Sequence, residues 1–455
     1  MHLTNTWRTQ KNSAARRGIR GKIIRYHVKE AGLKTDMEES SKNDKNMASW
    51  NVLDLFSGAG GMSFGFHSHP SFRIIGAVDA QNGKPSSGKG TLECNSTYGA
   101  NMGITPLHAD IGELSEGQLR QYLLQTSGTD QVDVLISCAP CTGFSRTVRK
   151  NLVEDDPRNS LVLRSAEFVK MFQPSVFLME NVGELLRGKF AQYFAGLKSQ
   201  LEELGYTVTA ELHALEKFGL PQSRRRALVV AVKNPLKLRT IHDLWQGYAV
   251  RPESTTVRAA IGHLPNVLAG ESHPHDPLHV SPNFSPKGMQ RLKLVPKDGG
   301  SWPDLLKVPG GAELLIPSMM RQIAKGGFGP YTDVYGRLAW DKPAVTLKRE
   351  CGSTGNGRYC HPEQDRHCTV REMGILQGFP RTYKFVARSA SNMYRHIGDA
   401  VPPLISFQLA HLTSWILTGE KPSIYDAILP NSHLSKDDIE ELQVSNHQMQ
   451  LTLQD

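Results

Sequence analysis

The chain reads as an α/β protein, a doubly wound sheet accompanied by a second, smaller and loop-rich domain. Two observations predict the sheet. From residue 51 short apolar runs are separated by amphipathic stretches, and the runs are continuously apolar rather than alternating. Strands buried on both faces of a parallel sheet read this way. A third observation predicts the smaller domain: after about residue 235 the rhythm breaks into a stretch rich in Pro, Gly, His and basic residues. Strands are expected at 51–56, 73–79, 132–137, 175–180 and 227–232. Helices between them include 161–172 and 190–204, the alternation of a doubly wound fold. Regular pattern returns in two further helices, 369–377 and 404–417.

These elements divide the chain into a flexible basic arm (1–46), a main domain (47–245), the loop-rich domain (246–342), a segment returning to the main domain (343–425) and a polar tail (426–455). No internal repeat is visible. With 39% hydrophobic and 21% charged residues, the composition is that of a globular protein. No stretch is read as approaching the roughly 18 apolar residues of a membrane span. No apolar run follows the basic N-terminus, so no secretory signal is expected. Six cysteines in 455 residues do not make a disulfide scaffold and point to a reducing, cytoplasmic compartment. The net charge of +9 suits a polyanionic partner only weakly, because 11 Lys and Arg against 5 Asp and Glu in residues 1–46 supply most of it. That arm is read as a solvated leader, with Met47 as an alternative start.

The first strand runs directly into DLFSGAGG at 54–61. A glycine-rich turn at a strand's carboxyl end lets backbone approach a ligand closely. Its spacing is neither that of a dinucleotide fingerprint nor that of a phosphate-binding loop. The second strand ends in Asp79, suited to a ribose diol, and Asp110 follows as an acceptor for an adenine amino group. A nucleoside without a pyrophosphate fits the set. The third strand ends in SCAPCTGFS at 137–145, the fourth in MENV at 179–182, and QSRRR at 222–226 precedes the fifth. Ligands of open α/β sheets bind beyond the carboxyl ends of the strands, which would bring Cys141, Glu180, Arg224 and Arg226 together. Each has an ordinary alternative: Cys138 and Cys141 as a redox or zinc pair, Cys141 as a buried structural cysteine, Glu180 as a helix cap, the arginines as a solvated run.

Taken in order, these motifs resemble the cytosine-5 DNA methyltransferase family from residue 51 to about 406. The resemblance implies a Rossmann-like methyltransferase sheet, a target-recognition domain, and S-adenosylmethionine as cofactor with no metal. It implies Phe56, Ser57, Gly58 and Gly60 at the methionine moiety, and Asp79 and Asp110 at ribose and adenine. Pro140 and Cys141 match the nucleophile loop, Glu180-Asn181-Val182 the acid motif, and Arg224 and Arg226 the basic motif. DPRN at 156–159, HPEQDR at 361–366, TVRE at 369–372 and LQGFP at 376–380 match further blocks. IGDAVPP at 397–403, with Asp399 and Val401, matches a closing motif that folds beside the cofactor. The chain departs from the pattern twice, with Thr142 where Gln is usual and Asp399 where Asn is usual.

Implied with the family is transfer of a methyl group to carbon 5 of a flipped-out cytosine in duplex DNA through a covalent bond from Cys141 to carbon 6. Thr142, Ser145, Arg146 and Arg149 are expected to contact DNA beside the nucleophile, and Arg291 and Lys297 from the recognition domain. The enzyme is expected to act as a monomer, with a cognate restriction endonuclease as a candidate companion. An RNA-directed relative of the same fold and a catalytically silent DNA-binding protein are the competing readings. Two clusters, His273, His275 and His279, and Cys360, His361, His367 and Cys368, are weighed as metal sites and read as loop residues.

Overall fold

Why the ligand crevice opens where it does follows from strand order. The computed structural model describes residues 49–81, 91–140 and 157–443. The strands are β1 (Trp50–Leu55), β2 (Phe72–Val78), β3 (Val134–Ser137), β4 (Val176–Asn181), β5 (Tyr206–Ala214) and β6 (Arg225–Lys233), in the order β2-β1-β3-β4-β6-β5. The chain leaves β1 for β2 on one side and returns to β3 on the other. That reversal opens a crevice at the carboxyl ends of β1 and β3.

Helices α1 (Gly61–His67), α2 (Cys94–Met102), α3 (Glu116–Ser127), α4 (Leu161–Phe172) and α5 (Ala191–Glu203) connect these strands. Further along lie α6 (Ile241–Leu244), β7 (Tyr248–Val250), α7 (Val257–Ile261), β8 (Ser272–His273), β9 (Asp276–Val280), α8 (Pro286–Leu294) and α9 (Pro317–Ala324). The chain then returns through α10 (Val370–Leu376), α11 (Ala390–Asp399) and α12 (Pro403–Thr418), and ends its described part in β10 (Ile439–Glu441). One face of the sheet packs Val52, Ile136, Leu178 and Val230 against Met62 and Phe66 of α1 and Leu404, Leu409 and Leu412 of α12. The other packs Leu53, Leu135, Phe177 and Val229 against α3, α4 and α5. Apolar residues on both faces explain why these strands lack alternation.

Two expectations about the sheet need correction. β6 is antiparallel to both its neighbours, whereas the apolar run at 227–232 was read as parallel. The edge strand β5 was missed altogether. Its nine residues, YTVTAELHA, are mostly half-exposed and polar at alternate places, so they lack the continuous apolar signal of the buried strands.

The apolar segment Ala390–Thr418 is long and apolar enough to meet a membrane-span measure that the sequence reading found nowhere, yet 89% of its most apolar stretch is buried inside the fold. Its second half, α12, lies so close to α1 that Gly65 is a steric requirement. A Cβ there would stand 2.2 Å from the backbone nitrogen of Phe407, and the Gly65 amide donates to Ser406 Oγ at 3.1 Å. Overpacking a tight core costs about 1–3 kcal/mol, and backbone cannot rotate aside as a side chain can. Gly65→Ala is therefore expected to lower the urea midpoint measurably; an unchanged midpoint would show that the two helices separate at no cost.

The described residues belong to one compact unit. Within it Val295, Trp302, Leu305, Leu315 and Met319 make a small core of their own. Arg337, fully buried, donates to the carbonyls of Leu292, Val295, His361 and Gln364, tying that core to the returning segment.

Candidate active site

The loop after β1 turns sharply. Phe56, Gly58 and Gly60 all have positive φ, at 62°, 52° and 89°, a region that glycine enters at little cost. The Gly58 amide donates to Asp79 Oδ2 at 2.9 Å and the Gln81 amide to Oδ1 at 2.6 Å. Asp79 thus braces the loop that it was expected to serve beside. The carbonyl of Val401 occupies the space that a Gly61 side chain would need, so the closing segment lies against the same loop. Ser57 is buried, yet its hydroxyl has no hydrogen-bond partner among the described residues. An orphaned hydroxyl in a glycine-rich turn fits a ligand with its own polar group. Asp110 is exposed and caps its own turn through Gly112 at 2.9 Å. Asp399 pairs with Arg349 at 3.1 Å.

Beneath the loop lies a group that the sequence reading passed over. Asp54 is buried in β1, accepting from Ser63 Oγ at 2.5 Å, and that hydroxyl also contacts Tyr98 Oη at 2.8 Å. Burial raises its carboxyl to about 7, with the Ser63 hydrogen bond opposing. Its signal in the sequence is an acidic residue inside an apolar run.

At the neighbouring strand ends, Arg226 Nε stands 2.9 Å from Glu180 Oε1, both side chains nearly buried. The contact is an ion pair bent too far for a hydrogen bond. Antiparallel pairing makes it: Asn181 lies opposite Ala227, so the start of β6 meets the end of β4. A parallel β6 would have placed Arg226 at the opposite edge. Asn181 Nδ2 donates to the carbonyl of Ala139 at 3.1 Å, and the Glu180 amide to Cys138 Sγ at 3.4 Å. These bonds hold the segment ending in Pro140 against β4. Burial pushes the Cys138 thiol well up, which disfavours the thiolate that a redox or zinc pair requires. Cys141, Thr142, Ser145, Arg146 and Arg149 lie outside the described residues.

Two further arginine candidates are buried. Arg224 is buried, donating to the carbonyls of Leu347 at 3.2 Å and Ala400 at 3.3 Å, with Glu180 3.8 Å away. Its place is that of a tie between sheet and returning segment, shared with Gln222, which bonds the carbonyl of Leu376 and the amide of Leu347. Arg291 also departs from expectation. It is buried, donates to the Leu314 carbonyl at 2.7 Å and lies over the Tyr335 ring, so it packs the small core rather than facing DNA. Lys297 remains half-exposed, paired with Asp365. The ring nitrogens of His279 meet Thr369 at 2.9 Å and the carbonyl of Pro265 at 2.7 Å.

The sequence pattern of C-5 cytosine-specific DNA methylases matches residues 50–413. The Type II methylase M.HgiDII of Herpetosiphon aurantiacus is 29% identical over 373 residues, covering 81% of this chain and 96% of that one. The Type II methyltransferase M1.HphI of Haemophilus parahaemolyticus is 32% identical over 374 residues, covering 81% and 87%. A crystal structure of a prophage-encoded Escherichia coli protein, provisionally described as a DNA modification methyltransferase, superposes with a TM-score of 0.59 at 19% identity, covering 81% and 99%. That likeness speaks for the fold.

Proposed function

Because the chain belongs to the C-5 cytosine-specific DNA methylase family, we propose that it methylates carbon 5 of a cytosine in a specific duplex DNA sequence, with Cys141 as nucleophile. The observation that carries the reading is the Glu180–Arg226 pair at the end of β4, beside the β3 end that leads through Pro140 to Cys141. Carbon 5 of cytosine is too weak a nucleophile to attack a methyl sulfonium unaided. Addition of the Cys141 thiolate to carbon 6 makes the ring an enamine. Glu180 shares a proton with N3, and Arg226, which holds that carboxylate in place, offers its remaining charge to O2. S-adenosylmethionine, when bound, supplies the methyl group. Loss of the carbon 5 proton and expulsion of the thiolate restore the aromatic ring. A stacked base hides carbon 6, so the target nucleotide leaves the helix at a cost of a few kcal/mol.

For the cofactor, Ser57 and the turn of Phe56, Gly58 and Gly60 would hold the methionine end, and Asp79 and Asp110 the nucleoside, with Pro140, Asp399 and Val401 closing the site. Residues 246–342 serve as the target-recognition region, and Lys297 is a candidate DNA contact together with Thr142, Ser145, Arg146 and Arg149. The relatives' Type II names favour a role beside a restriction endonuclease, which sequencing of neighbouring genes checks. Labelled methyl from the cofactor should enter duplex DNA rather than tRNA. Transfer to tRNA alone would favour the RNA-directed reading, and transfer to neither the silent one.

A further inference from the structure

Away from this site, three ligating side chains converge at the edge of the sheet. Successive residues of a strand alternate faces, so Glu211 and His213 of edge strand β5 share one face, and α6 brings His242 over them. Glu211 Oε2 lies 3.8 Å from His213 Nε2 and 3.9 Å from His242 Nε2. The two imidazole rings are 4.9 Å apart, and one ligand atom from each of the three falls within 4.8 Å of the others. A cavity of about 10 Å³ adjoins Glu211 and His213.

Two features distinguish the trio from an ordinary surface cluster. His213 is 4% exposed, yet its Nδ1 has no hydrogen-bond partner among the described residues, a costly state for a buried polar atom. Its Nε2 is too far from Glu211 for a hydrogen bond. The other two side chains are the solvent-facing members of the trio, Glu211 being 43% and His242 58% exposed. Tetrahedral bonds of about 2.1 Å place ligand atoms about 3.4 Å apart, so each pair with Glu211 need close by only about half an ångström.

We propose that Glu211, His213 and His242 bind one divalent transition cation of the zinc class, with water completing its shell, and so clamp β5 to α6. Two imidazoles with one carboxylate suit that class, whereas magnesium and calcium favour oxygen alone. The clamp braces a strand with a stake in the chemistry, since His213 lies directly opposite Arg226 on β6. The cation is structural and takes no part in methyl transfer. No spacing motif marks the trio in sequence, because β6 intervenes between its members.

The test is zinc titration of the full chain after stripping with EDTA, by calorimetry and elemental analysis, beside His242→Ala and Glu211→Gln. Losing even an outer-shell partner of a metal ligand costs about 10–100-fold in affinity. His242→Ala should therefore bind zinc at least ~100-fold more weakly, and zinc should raise the melting temperature of the wild type alone. His242 is exposed, so the metal-free variant should melt with the wild type. Absence of zinc binding by the wild type, or wild-type affinity in both variants, would overturn the proposal.

Discussion

Cys141→Ala is expected to reduce methyl transfer to background while leaving S-adenosylmethionine binding intact. In the proposed mechanism the thiolate's attack makes carbon 5 reactive, and alanine offers no substitute. On the proposed reading the cofactor would be held by the turn after β1 and by Asp79, away from residue 141, so its binding doubles as a check that the variant is folded. A duplex carrying 5-fluorocytosine separates this cause from a general loss of activity. Fluorine cannot leave as a proton does, so the wild type should become covalently attached to that DNA, and Cys141→Ala should not. Glu180→Gln should keep the cofactor and lose about 10²–10⁴-fold in turnover, the usual worth of a positioned proton donor. Near-normal turnover by Cys141→Ala would assign the nucleophile elsewhere.

Glu372→Ala is expected to be the most damaging substitution for stability among those considered. Glu372 and Arg366 are each 1% exposed, and the guanidinium holds the carboxylate with two bonds of 2.7 Å. The Thr369 amide adds a third bond at the start of α10. Removing one partner of a buried pair strands the other charge, at a cost of about 3–5 kcal/mol, read as a shift in the urea midpoint. A paired replacement, Arg366→Met with Glu372→Leu, should recover most of that loss, because it removes both charges together. A single variant as stable as the wild type would show that water reaches the stranded arginine.

The same pair predicts a pH dependence. Burial alone would raise the Glu372 carboxyl, but the hydrogen bonds and charge of Arg366 outweigh it and hold it at about 2, against an ordinary 4.5. A carboxyl depressed by folding stabilises the fold fully above its unfolded pKa. That contribution is then lost as pH falls from about 4.5 toward about 2. Glu372→Ala should remove this part of the acid-unfolding profile.

How much of this was legible in sequence depends on the range of the interactions. The turn from β1 into α1, the buried strands β1 to β4 and helix α4 declare themselves locally, through apolar runs bounded by Gly and Pro and by positions that only glycine tolerates. The order of Pro140-Cys141, Glu180 and Arg226 along the chain likewise pointed to one chemistry. Tertiary structure decided the rest. Only the antiparallel course of β6 brings Arg226 to Glu180, and an apolar run carries no mark of its direction. Edge strand β5 was hidden because its exposed side is polar. Arg224 is expected from sequence at the catalytic site and Arg291 at the DNA, and neither expectation could include their burial, since that is set by carbonyls and rings contributed from distant parts of the chain.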